Sequence, residues 1–206
     1  MLEIKTLPVG NLEANCYIVG CSQTKEGVVI DPGADGQWIV QTIESLGWKI
    51  KYIINTHGHV DHIGANNEVK KATGAELLIK EDDVCMLTDT VKNLSAFTGA
   101  DVVSALPDRV LSEGDIISFG KQALEVVATP GHTPGGICLK GEDCVFTGDT
   151  LFAGSVGRSD FPGGNGGLLI EMIKEKLLIL PDETVVYSGH GPSSTIGREK
   201  VSNPYL

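Results

Sequence analysis

Short apolar runs, bounded by Gly, Asn, Asp or Pro, recur along this chain, and longer amphipathic stretches follow several of them. Residues 15–19 and 27–30 read as strands, since brief β-branched runs closed by turn formers suit a buried, pleated ladder. The first third reads as strand, strand, strand, helix, strand. Its helix covers roughly 36–46, with Asp35 placed to cap it and Gly47 placed to end it. A strand at 51–55 leads into a dense histidine cluster, and a helix over 64–73 closes at Gly74. A strand–helix unit follows at about 76–88, and 92–112 carries no clear period. The strand pattern returns at 115–119, 122–128, 136–140 and 143–147. Residues 152–165, rich in glycine and holding Pro162, read as a long loop. A helix is expected over about 166–179 and a last strand at 184–187.

The two halves therefore look alike, each with strands first, then a helix, then a strand that ends in polar residues. No linker or low-complexity segment divides them, so residues 1–206 are expected to form a single domain of mixed α/β (α+β) class. A 41% hydrophobic content with few aromatics suits a soluble globular chain. No apolar run approaches the roughly 20 residues that cross a bilayer. The first residues lack a basic segment followed by an apolar one, so no signal peptide and a cytoplasmic location are expected.

Charge narrows the partners. With 16 basic and 27 acidic residues the net charge is −11, which argues against a nonspecific nucleic-acid surface. It leaves room for a small anionic substrate held by one or two arginines. The cysteines, Cys16, Cys21, Cys85, Cys138 and Cys144, are odd in number and form no Cys-x-x-Cys pair. Four lie in strand-like stretches, where free cysteine behaves as a small hydrophobe. A reducing compartment is expected, and structural zinc on sulfur is not.

All five histidines stand where a metal ion would want them. His57, His59 and His62 fall within Thr56-His57-Gly58-His59-Val60-Asp61-His62, which also supplies Asp61. His132 and His190 each follow a glycine, in Pro130-Gly131-His132-Thr133-Pro134 and Ser188-Gly189-His190-Gly191-Pro192. Imidazole and carboxylate are the usual ligands of Zn, Fe and Mn. Asp149, at the exit of a strand and preceded by Gly148, completes a set large enough for two ions. Asp31, in Ile30-Asp31-Pro32-Gly33, also ends a strand; it is placed either to orient a ligand or simply to make a turn. Structural zinc sites are usually sulfur-rich and closed, so seven N/O candidates favour a catalytic pair of ions.

From Asp31-Pro32-Gly33 through the His-x-His-x-Asp-His block to His132, Asp149 and His190, the chain resembles the metallo-β-lactamase superfamily. Within it the chain looks most like the hydroxyacylglutathione hydrolase (glyoxalase II) group and its small bacterial relatives. The pointers are Thr129-Pro130-Gly131-His132-Thr133-Pro134-Gly135-Gly136, Gly148-Asp149-Thr150-Leu151-Phe152 and Gly157-Arg158-Ser159-Asp160-Phe161. The resemblance implies a four-layer αβ/βα sandwich with two divalent metal ions, zinc first and iron or manganese as alternatives, at one edge of the sheets. It implies that His57, His59 and His132 hold one ion, that Asp61, His62 and His190 hold the other, and that Asp149 bridges them.

Two departures from glyoxalase II are visible. The chain stops sixteen residues after His190, so the helical domain that follows in that group is expected to be absent. Arg158 stands in place of a glutathione-binding lysine and can grip a carboxylate, while Asp160 stands in place of a tyrosine and cannot do its job. The resemblance implies hydrolysis of a small thioester of the S-lactoylglutathione type, with Asp61 and Asp149 as the catalytic carboxylates and Arg158 on the substrate. The alternatives are a mononuclear iron persulfide dioxygenase using His57, His132 and Asp149, and a lactonase or other hydrolase of the same fold. Oligomeric state is left open.

Overall fold

Alternation along the strands sorts their residues into two faces. The computed structural model describes all 206 residues. Strands β1 (Leu2–Val9), β2 (Ala14–Cys21), β3 (Glu26–Ile30), β4 (Lys49–Ile54), β5 (Glu76–Lys80) and β6 (Arg109–Leu111) form one sheet in that order. The first three are antiparallel and the rest run parallel from β3 onward. Strands β7 (Ile116–Phe119), β8 (Gln122–Ala128), β9 (Ile137–Lys140) and β10 (Cys144–Gly148) follow, then a small separate hairpin of β11 (Leu151–Phe152) and β12 (Ser155–Val156). With β13 (Val185–Ser188) and β14 (Ser194–Thr195), the second sheet has the order β14-β13-β10-β9-β8-β7.

Five helices, α1 (Gly36–Leu46), α2 (Val60–Ile63), α3 (Asn66–Thr73), α4 (Gly166–Met172) and α5 (Ile196–Ser202), complete the fold. Val28, Ile30, Ile54 and Leu78 of the first sheet meet Leu124, Val126, Leu139 and Phe146 of the second in a core between the sheets. Their sequence neighbours face outward. Val29, Ile53 and Leu77 pack beneath Ile39 and Ile43 of α1 and Val69 of α3. Cys138, Val145 and Val186 pack beneath Leu169 of α4 and Ile196 of α5. The result is helix, sheet, sheet, helix: the four-layer sandwich that the sequence resemblance implied. Each fully buried Ile, Leu or Phe contributes about 1.5–3 kcal/mol of burial. No helix is long and apolar enough to cross a membrane.

Several local expectations need correction. Asp35 does not cap α1 with its side chain, because its own backbone is left-handed (φ 53°) and turns the carboxylate to the amide of Gly10 at 2.7 Å. The helix expected over 64–73 is α3, which starts at Asn66, and a separate helical turn, α2, precedes it. The chain breaks between them where the Ala65 amide donates to the Pro32 carbonyl at 2.9 Å. After β5 the helix is a 3-10 helix, Glu81–Leu87, whose three-residue spacing buries Asp83 and Met86 on one side. The unreadable 92–112 holds a 3-10 turn, Ser95–Phe97, and β6. The long loop at 152–165 starts with the β11–β12 hairpin. The helix expected over 166–179 is α4 followed by a π turn, Ile173–Leu177.

Candidate metal centre

The histidines and aspartates of the set emerge from loops at the ends of buried strands, except Asp61 and His62, which stand in the short helix α2. Beyond β4, Asn55 and Thr56 are fixed first. Asp31 accepts from the Thr56 amide at 2.7 Å and from its hydroxyl at 2.6 Å. Asp31 itself has φ 51°, a strained backbone for a non-glycine residue and one that recurs at functional sites. Asn55 donates to the His62 carbonyl at 3.0 Å, tying the two ends of the histidine block together. On the other sheet, β10 ends at Gly148, whose φ of 47° and closeness to Thr56 leave no room for a side chain before Asp149. A Cβ at Gly189, just before His190, would strike Asp149. The Tyr17 hydroxyl and the Asn15 amide both donate to the Ser188 carbonyl, at 2.6 and 3.0 Å, and so latch the His190 loop to β2.

All seven candidate ligands converge. His59 Nδ1 lies 2.9 Å from His132 Nε2, which lies 3.2 Å from His57 Nε2. Two nitrogens on one tetrahedral ion, with bonds of about 2.0–2.1 Å, would sit about 3.3 Å apart. A second group joins Asp61, His62 and His190, with His190 Nε2 3.2 Å and His62 Nε2 3.7 Å from Asp61 Oδ2. Asp149 stands between the groups: Oδ1 is 3.4 Å from His62 Nε2, and Oδ2 is 3.5 Å from His132 Nε2 and 3.8 Å from His190 Nε2.

The outer hydrogen bonds set which nitrogen is free. His132 Nδ1 donates to the Arg158 carbonyl at 2.6 Å and His190 Nδ1 to the Leu12 carbonyl at 3.1 Å. A carbonyl only accepts, so both rings turn a lone pair inward at Nε2. His62 Nδ1 donates to Asp31 at 3.0 Å, so Asp31 holds the His62 ring in place. The inward atoms His62 Nε2 and Asp149 Oδ1 are buried and have no hydrogen-bond partner. Orphaned buried polar atoms are rare and costly. Two of them facing one another, beside three clustered imidazole nitrogens, fit a pair of cations.

Electrostatics separates the two groups. Burial and the neighbouring rings push His57 well below the ordinary imidazole range, and burial with His132 and His62 pushes His59 down to about 3. For His62 burial acts the other way from its charged neighbours, and Asp61, Asp149 and Asp31 win, raising it to about 10. Burial likewise opposes ionisation of Asp61, but His62 and His190 hold its carboxyl well below the usual range.

One positioning residue was not read from the sequence. Asp83 is fully buried and accepts from the Gly58 amide at 3.0 Å, the Thr133 hydroxyl at 2.7 Å and the Gly135 amide at 2.7 Å. It joins the loop of His57 and His59 to the loop of His132 across the two sheets. Its only signal was its place in Glu81-Asp82-Asp83, which reads as an ordinary solvated helix start.

Above the centre lies a cavity of about 810 Å³. Its floor is His59, Asp61, His132, Asp149 and His190, and its walls include Leu12, Val91, Leu94, Phe97, Phe152 and Phe161. Arg158 reaches the same cavity, but its guanidinium is engaged by Asp160 through Nε at 2.8 Å and Nη2 at 2.6 Å. It also lies 3.9 Å above the Phe161 ring. The pairing raises Arg158 and lowers Asp160 to about 2.

An αββα sandwich carrying a His/Asp cluster able to bind metal at the strand ends defines a metallohydrolase scaffold. The chain belongs to the metallo-β-lactamase superfamily, whose model matches residues 9–190. A Haemophilus influenzae protein named hydroxyacylglutathione hydrolase GloC is 37% identical over 209 residues, covering 100% of this chain and 98% of that one. The crystal structure of BLEG-1 B3 metallo-β-lactamase superposes with a TM-score of 0.95 at 35% identity, covering 99% of both chains. That of TTHA1623 in a di-iron-bound form superposes with a TM-score of 0.88 at 34% identity, covering 98% of this chain and 100% of that one.

Proposed function

We propose that this chain hydrolyses thioesters of the hydroxyacylglutathione type, using two divalent ions. His57, His59 and His132 would hold one ion, Asp61, His62 and His190 the other, and Asp149 both. The bound ions would supply hydroxide near neutral pH and polarise the substrate carbonyl. The observation that carries this reading is the inward, partnerless pair His62 Nε2 and Asp149 Oδ1 beside the three clustered imidazoles.

The chain's own residues do the rest. Asp61, part-exposed at the cavity floor, orients the attacking oxygen. A C–O bond forms at the thioester carbonyl and the C–S bond breaks. The departing thiolate is a weak base and takes its proton from water. The cavity walls keep the acyl carbon over Asp149, and Arg158 with Asp160 closes one side. The relation to the Haemophilus hydroxyacylglutathione hydrolase supports the thioester, and the di-iron-bound relative supports a pair of ions. Five free cysteines suit a reducing compartment, the cytoplasm.

Asp149→Ala tests the scheme. Losing the shared carboxylate lowers kcat/KM on S-lactoylglutathione by more than about a hundredfold, the scale of several kcal/mol of lost stabilisation. It also reduces bound metal from two ions toward one. Unchanged hydrolysis with unchanged metal content would overturn the scheme.

A further inference from the structure

The walls of the cavity over the metal centre differ in character from its floor. On one side, a buried asparagine shapes the turn before Phe97. Asn93 donates to the carbonyls of Met86 and Val102, both at 3.0 Å, and its side-chain oxygen accepts from the Ser95 amide at 2.9 Å. The turn forces Leu94 to φ 70°, a conformation that a leucine adopts only when its surroundings hold it there. The strained turn leaves Leu94 and Phe97 lining the cavity, with Phe97 75% exposed. Val91, from the same turn, and Leu12, from the β1–β2 connection, add 56% and 60% exposed apolar side chains. Large apolar side chains gathered over a polar reaction centre, at a backbone cost, mark a binding surface.

The charge on the walls points the same way. Apart from the floor histidines, Arg158 is the only basic side chain lining the cavity. Asp160 takes two of its donors, and Phe161 covers one face of its guanidinium. A substrate carboxylate on this wall finds the Nε–Nη2 edge of Arg158 occupied and meets the like charge of Asp160 beside the donors that remain.

We infer that the cavity selects thioesters with an uncharged, apolar acyl chain, seated against Leu12, Val91, Leu94 and Phe97 with the scissile carbonyl over Asp149. This deepens the hydrolase reading and rests on it for the bond cleaved. The wall itself is independent of that reading. A lactoyl group, with its hydroxyl and single methyl, leaves most of the wall uncovered.

Two measurements on the zinc-loaded protein separate the claims. The first compares kcat/KM for S-acetyl-, S-butyryl-, S-hexanoyl- and S-lactoylglutathione, which share one thiol. Each added methylene is expected to raise kcat/KM roughly three- to fourfold, from the free energy of burying a methylene. Hexanoyl then exceeds lactoyl at least tenfold. The second measures binding of acetate, hexanoate and adipate by calorimetry and needs no turnover. Hexanoate is expected to bind at least tenfold more tightly than either acetate or adipate, which adds a second carboxylate to the same chain length. Phe97→Ala flattens both trends while bound zinc stays constant. No cleavage of any thioester, with hexanoate still preferred, would defeat the hydrolase reading and leave the apolar acyl site standing. Cleavage with no chain-length dependence, or adipate binding as tightly as hexanoate, would overturn the acyl site.

Discussion

The two halves of the proposed metal centre are made of opposite chemistry. The first, His57, His59 and His132, is three buried imidazoles, and burial with mutual repulsion keeps His57 and His59 neutral. The second, Asp61, His62 and His190, is rich in carboxylate, and His62 there carries a proton in the metal-free protein because three aspartates surround it. The first is ready to accept a cation as it stands. The second must exchange a proton for one. Asp149 faces both groups, so its carboxylate stands where the neutral cluster meets the anionic one. The fold makes this contrast by drawing its ligands from different places. Tight spacing after β4 supplies most of them, and single residues beyond β10, β13 and the loop after β8 supply the rest.

The largest expected effect breaks the neutral half. Asp83→Ala strands the Gly58 and Gly135 amides and the Thr133 hydroxyl in the interior. At about 1–3 kcal/mol for each orphaned group, the protein should lose roughly 3 kcal/mol or more of stability. Denaturant unfolding of the zinc-loaded variant measures this. A loss below about 1 kcal/mol would mean that Asp83 does not join the loops. A smaller effect should fall on the carboxylate half. Asp31→Asn removes the charged partner of His62 Nδ1 and should weaken the ion on the His62 side by about 10–100-fold, with a smaller effect on the other through Thr56, which Asp31 also holds. Equal weakening of both ions in a chelator competition would show that the halves are not separable.

Much of this was legible in the sequence because it rests on short-range patterns. Short apolar runs in β3, β4 and β10, closed by turn formers, marked the buried strands, and the histidine block marked the candidate site. What stayed hidden depends on contacts across the fold. Asp83 is 50 residues from Thr133 and 52 from Gly135, and nothing local distinguishes it from its acidic neighbours. Asp35 has the sequence of a cap, but its left-handed backbone turns its carboxylate to Gly10 instead. Strand β6 is only three residues long and owes its place to parallel pairing with β5. Helix α5, capped by the Thr195 hydroxyl, was not expected at all, since it lies past the last motif residue. The Arg158–Asp160 pair changes the meaning of Arg158, which, read singly, points to a substrate carboxylate.

The contrast between the two halves is tested most directly by titrating metal-free protein with zinc in a calorimeter at pH 7.5, in two buffers of different ionisation enthalpy. Two ions per chain are expected. One binds without releasing a proton from His57 or His59, which are already neutral there. The other releases at least one proton from His62, which holds it up to about pH 10, so that ion's affinity rises with pH across this range. A single ion per chain, or two ions that release no protons, would contradict this expectation.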